Sequence, residues 1–141
     1  MRLLLIIITI FFIPMVYGSE HKLTIIVNQH APITQELSVQ TIKNIFLLKK
    51  LSWSDTSRIV VVNRKSGSFT RNNFEEKLNL SSKKYTRYLK KMHYKGVTLP
   101  VIRGSKKAVL EFVEKVPGAI AYIEGNVPDN THNIKVIGAL E

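Results

Sequence analysis

The segment Arg64-Lys65-Ser66-Gly67-Ser68-Phe69-Thr70-Arg71 carries the residue types and spacing best suited to chemistry in this chain, and the chemistry they suit is the holding of an anion. Gly67 lets the backbone approach a ligand closely, and Ser68 and Thr70 offer hydroxyl donors. If a helix opens here, its first-turn amides point outward with the positive end of the helix dipole behind them. Arg64 or Arg71 can add a bidentate, charge-assisted contact to two oxygens of a tetrahedral anion. The residues alone read equally well as a turn followed by an ordinary N-cap. A second segment, Arg103-Gly104-Ser105-Lys106, repeats the ingredients; there a plain cap at Gly104-Ser105 is the simpler reading.

Other chemistries find little support. The spacing Gly-x4-Gly-Lys-Ser/Thr is absent, as is Gly-x-Gly-x-x-Gly, which argues against a nucleotide-hydrolysing enzyme. With no cysteine there is no thiolate nucleophile, thiolate metal site or disulfide. The histidines, at 21, 30, 93 and 132, are scattered without metal-ligand spacing and read as surface residues. Glu75-Glu76 and Glu111 with Glu114 sit among lysines on predicted helices, where pairing on a solvated face is the simpler role than acid/base catalysis. No nucleophile with a base beside it is visible, so neither an enzyme nor a cofactor is expected.

Strands and helices must position these loops. His21–Asn28 reads as a first strand, from the run Leu23, Ile25, Ile26, Val27. A helix capped by Ser38 places Val39, Ile42, Ile45 and Phe46 on one face. Arg58–Asn63 is a continuous apolar run, the mark of a strand covered on both sides and hence of a parallel sheet. Two helices follow between Gly67 and Met92. The second, opening at Ser81 or Ser82, sorts Tyr85, Tyr88, Leu89 and Met92 to one side and Lys83, Lys84, Arg87, Lys90 and Lys91 to the other. That cationic side is either a polyanion-binding surface or, more simply, a solvated face. A strand near Thr98–Ile102, a helix over Ser105–Val116 ended by Pro117-Gly118, and strands at Ala119–Ile123 and Ile134–Ile137 complete a β-α-β-α-α-β-α-β-β order. Trp53 is expected to pack where the chain turns from helix to strand. Alternation of this kind implies an α/β fold: a single three-layer domain with helices on a mostly parallel sheet.

The chain opens with Arg2 and an apolar run from Leu3 to Ile13 interrupted only by Thr9, followed by Val16 and Gly18. This reads as a signal peptide, residues 1–18, cleaved after Gly18, leaving no stable membrane anchor and a single domain over 19–141. Losing Arg2 lowers the formal charge from +11 to +10, a balance that attracts anions of every kind without separating them.

Four stretches resemble the phosphate-binding proteins of ABC importers, which have the type 2 periplasmic-binding-protein fold. They are Leu37-Ser38 through Ile45-Phe46-Leu47-Leu48-Lys49 with Trp53; Val62-Asn63-Arg64 through Gly67-Ser68 to Phe74; Gly96 to Pro100; and Val113 through Pro117-Gly118-Ala119-Ile120-Ala121-Tyr122-Ile123. The resemblance implies one lobe of that fold. It implies a periplasmic solute-binding protein for phosphate or a similar oxyanion, not nucleic acid, with an ABC permease or another envelope protein as partner. It aligns Arg64 with the family's phosphate-pairing arginine, and Ser68 and Thr70 with the hydroxyls beside it. The chain departs from the pattern at Ser66, where the family has an acidic residue, at Phe69, Leu48 and Ala121, where it has glycines, and at Asn28-Gln29-His30-Ala31-Pro32, which replaces a Gly/Ser/Thr-rich loop. Without the acid at 66, a preference for fully ionised anions is expected. The alternative is an envelope interaction module with a vestigial site, meeting an acidic partner through the basic helix 81–92.

Overall fold

Six consecutive buried residues, Leu23–Asn28, form β1, and their burial on both sides places this strand inside the sheet. The computed structural model describes residues 21–141, so the expected leader lies outside the described residues. After β1 come α1 (Val39–Phe46), β2 (Val60–Arg64), α2 (Phe69–Lys77), α3 (Ser82–Tyr94), β3 (Val101–Arg103), α4 (Lys106–Lys115), β4 (Ala119–Glu124) and β5 (Ile134–Leu140). The element order is the one the sequence predicts.

Each helix starts at a serine. Ser38, Ser68, Ser81 and Ser105 each accept a hydrogen bond from the amide three residues on, satisfying one of the donors that a helix start leaves free.

The strands lie in the order β3-β2-β4-β1-β5. β2 pairs in parallel with β3 and β4, while β1 runs antiparallel to β4 and to β5. Four strands therefore point one way and β1 alone opposes them, so the sheet is mostly parallel in direction. One layer of core lies between the sheet and α1–α3, built on Ile42, Ile45, Phe46, Phe74 and Tyr122; α4 covers the other face through Val109 and Val113 against Ile26, Val62 and Ala121. These are the three layers expected.

Three local expectations need correction. Val39 is half exposed at the first turn of α1, where the helix has not yet reached the sheet, and only Ile42, Ile45 and Phe46 are buried. β3 begins at Val101 rather than Thr98, because Pro100 has no amide to give a neighbouring strand. β5 runs on to Leu140, pairing Ala139 with Thr24 and Leu140 with Leu23 across a register shift at Ile25/Ile26.

Trp53 is buried at the turn from α1 to β2, its Nε1 donating to the Gly118 carbonyl at 3.1 Å. Gly118 has φ +82°, and a Cβ there would collide with the Arg58 carbonyl, so this turn accepts no side chain.

Candidate anion site at the carboxyl ends of β2 and β4

β2 and β3 are neighbours, yet the loop leaving β2 leads to α2 on one face of the sheet and the loop leaving β3 leads to α4 on the other. Adjacent loops that part in this way open a crevice beyond the strand ends, where α/β sheets generally bind ligands. Arg64 ends β2, Glu124 ends β4, and the α2 amino terminus stands beside them.

Arg64 is held from behind. Its amide donates to Asn63 Oδ1 at 2.9 Å and to the Tyr122 hydroxyl at 3.2 Å, and that hydroxyl itself donates to Asn63 Oδ1. Asn63 Nδ2 donates to the Tyr85 hydroxyl at 3.3 Å, and Tyr85 donates on to the Phe46 carbonyl at 2.8 Å. This chain of bonds runs from α1 through α3 to the end of β2 and satisfies every member, as a buried polar network must to be stabilising.

Burial pushes the Tyr122 and Tyr85 hydroxyls well above the usual phenol range. Because the folded state holds these protons more tightly than the unfolded state, the tyrosines do not weaken the fold below pH ~10 and destabilise it above, each by up to about 1.4 kcal/mol per pH unit. Chemical denaturation between pH 9 and 11 should show this loss, and Tyr85→Phe should reduce its slope; an unchanged slope would contradict the assignment.

The Arg64 side chain is buried, with Nη1 donating to Glu124 Oε2 at 2.9 Å. Thr70 Oγ1 donates to the same oxygen at 3.4 Å. Arg64 Nε is buried and finds no hydrogen-bond partner among the described residues. Such a donor costs about 1–3 kcal/mol if left unpaired, a cost that an acceptor at this edge of the guanidinium would relieve. Gly67, at φ +81°, makes the left-handed turn that brings Ser68 to the helix start, where its hydroxyl accepts from the Arg71 amide at 3.3 Å. Open space rather than close packing surrounds Gly67, so its conformation, not its size, is what the turn requires. Lys106 of α4 reaches over from the second junction, its Nζ donating to the Glu124 carbonyl at 2.8 Å and to the Asn126 carbonyl at 3.0 Å.

Of the sequence-predicted site residues, Arg64 and Thr70 meet at Glu124 Oε2, while Gly67 and Ser68 form the turn and cap that open the same helix. Arg71 does not join them. Its Nε donates to Glu75 Oε1 at 2.7 Å, its Nη1 to the Arg64 carbonyl at 3.1 Å, and its guanidinium lies over the Tyr85 ring. Glu75, expected on a solvated face, is buried instead, because this pairing and a hydrogen bond from the Ser82 hydroxyl pull it under α2. At the second junction Ser105 caps α4 by accepting from the Ala108 amide at 3.1 Å, and Gly104 has nothing near it.

Glu124 is the site residue that sequence reasoning missed. It supplies a carboxylate where Ser66 suggested none. The signal was its position one residue beyond a predicted strand that pairs in parallel with the strand ending at Arg64. Among the described residues, no group of side chains is arranged to hold a metal ion, and no helix is long and apolar enough to cross a membrane.

No curated protein sequence matches the chain. Solved structures do. A Clostridium perfringens protein, described as a phosphate ABC transporter substrate-binding protein with bound phosphate, superposes with a TM-score of 0.66 at 22% identity, over 83% of this chain and 45% of its own. An ABC-type phosphate transport receptor from Vibrio cholerae gives 0.62 at 20% identity, over 83% and 45%. PstS from Borrelia burgdorferi gives 0.58 at 16%, over 74% and 41%. The chain therefore spans less than half the length of these proteins, and the likeness shows the fold of one lobe of a type 2 periplasmic binding protein. The family model of the PBP superfamily domain matches residues 8–135, nearly the whole sequence, and the chain belongs to that superfamily.

Proposed function

We propose that this protein is a periplasmic solute-binding protein that holds phosphate or a similar oxyanion between Arg64, the Ser68 and Thr70 hydroxyls and the first amides of α2, and hands it on unchanged. The observation that carries this reading is the buried, unpartnered Nε of Arg64 beside a helix amino terminus. The solved relatives described as phosphate-binding or phosphate-transporting support the choice of ligand. The apolar leader at residues 1–18 supports export, and an ABC permease or another envelope protein is the partner this role requires. Fixed N–H and O–H donors replace the anion's water shell, and no bond is made or broken. Amide NMR shifts on titration with phosphate should concentrate at residues 64–71; shifts elsewhere, or none, would contradict the assignment.

Glu124 reverses the expected preference among anions. A carboxylate accepts hydrogen bonds only, so it repels a fully ionised oxyanion and accepts from one that retains a proton. Phosphate should therefore bind better than sulfate, and better at pH 6 than at pH 8. Glu124→Gln should abolish both differences in competition titrations; if both persist, Glu124 does not read the anion's proton.

A second reading is favoured by α3, where Lys83, Lys84, Arg87, Lys90 and Lys91 are all exposed and none forms an ion pair among the described residues. Here the basic helix meets an acidic partner or polyanion. Reversing the charge of Lys84, Arg87 and Lys91 should then abolish binding to polyphosphate at moderate salt while leaving phosphate affinity intact, and retained polyphosphate binding would refute this reading.

A further inference from the structure

At the opposite end of β2 from Arg64, about 13 Å away at the usual rise of a strand, lies a cavity of about 530 Å³. Its volume falls within the range usual for small-molecule sites, roughly 300–1,000 Å³. The buried side chains of Leu48, Ile59 and Val61 line its interior, with Val97 half-buried beside them and Leu51 and Leu99 exposed at its mouth. Around this apolar lining stand three exposed cations, Lys50, Arg58 and Lys95, none in an ion pair among the described residues, and no acidic residue lines the cavity.

Two helix ends help to shape the cavity. Leu48, at φ +58°, and Gly96, at φ +82°, are the left-handed residues that end α1 and α3, where the next amide bonds back to the last helical turn (Lys49 to the Asn44 carbonyl at 2.9 Å, Val97 to the Met92 carbonyl at 3.1 Å), and Thr56 has φ +68° in the turn before β2. At Leu48 the left-handed backbone turns a large apolar side chain into the cavity wall, where a glycine would leave a gap.

We infer that this cavity is a second binding site, for an amphipathic carboxylate whose hydrocarbon chain enters the apolar interior while its head group pairs with Lys50, Arg58 and Lys95. Charge decides between possible occupants. A neutral apolar ligand leaves the three cations unused, and a second copy of this strongly basic chain would set like charges against one another. An apolar chain with an anionic head satisfies both parts of the cavity. The site is independent of the anion site at Arg64, and each can fail without the other.

Decanoate, kept below its micellar concentration, is the probe. Calorimetric titration of the protein should show saturable binding of decanoate and none of acetate or decyltrimethylammonium. The exposed double variant Lys50→Glu/Lys95→Glu should weaken decanoate tenfold or more, and Leu99→Asp should do the same from the mouth, both with phosphate titrations and thermal midpoints as in the parent. The inference is overturned if decanoate does not bind, if the cationic analogue binds equally, or if the charge reversals leave decanoate affinity unchanged. It is overturned equally if the protein binds anionic vesicles but not monomeric decanoate, or dimerises through this face.

Discussion

An Arg64→Gln variant is expected to bind phosphate at least a hundredfold more weakly than the parent while unfolding within a few degrees of it. Nη1 of Arg64 holds Glu124, and in the proposed site the unpartnered Nε edge takes the ligand. Two charge-assisted hydrogen bonds to an anion contribute on the order of 1.5–3 kcal/mol each, and losing both is worth about a hundredfold or more in affinity. Stability suffers less, because Glu124 is 45% exposed and water can solvate the carboxylate that the arginine leaves behind. The Arg64 amide keeps its bonds to Asn63 and Tyr122 whatever the side chain. Titration calorimetry and a thermal melt on the same sample separate the two effects. A large loss of stability with phosphate affinity retained would make Arg64 a structural residue.

Eleven residues on, the opposite outcome is expected. Glu75→Ala should cost about 3–5 kcal/mol of stability, because it strands the Arg71 guanidinium in the core without its counter-charge. Both partners are almost wholly buried, at 5% and 3% side-chain exposure, and their bond is 2.7 Å long. In a domain whose whole stability is of order 5–15 kcal/mol, this should lower the melting temperature by roughly 10 °C or more. Replacing both partners together, as Arg71→Met with Glu75→Leu, should recover much of the loss, since it removes the stranded charge. The exposed pair Lys107–Glu111, at 3.9 Å, provides the control: Glu111→Ala should change stability by less than about 0.5 kcal/mol. Equal effects from Glu75→Ala and Glu111→Ala would show that the buried pair does not brace α2.

The contrast between the two arginines marks the limit of what the sequence discloses. Element order was legible because β-branched runs such as Ile59-Val60-Val61-Val62 bury on both sides and because serines stand at every helix start. The loop after β2 was legible as a candidate anion site because its donors are consecutive along the chain. Arg71 and Glu75 were not legible as a buried pair: four-residue spacing puts two side chains on one helix face without saying whether that face meets water or Ser82 of the next helix. Glu124 escaped notice because it meets Arg64 only through the pairing of strands sixty residues apart, a non-local contact that periodicity does not encode. The reversal of β1 against its neighbours was hidden for the same reason, since an apolar strand covered on both faces reads alike in either direction.

The central claim is that the β2–α2 loop is an oxyanion receptor. Isothermal titration of residues 19–141 with phosphate tests it most directly, repeated with sulfate and on Ser68→Ala. The account predicts saturable one-site phosphate binding, weaker binding of sulfate, and a clear loss of phosphate affinity in Ser68→Ala. An absence of phosphate heat at millimolar ligand, or an affinity unchanged in Ser68→Ala, would contradict it and make the basic face of α3 the better guide to what this protein does.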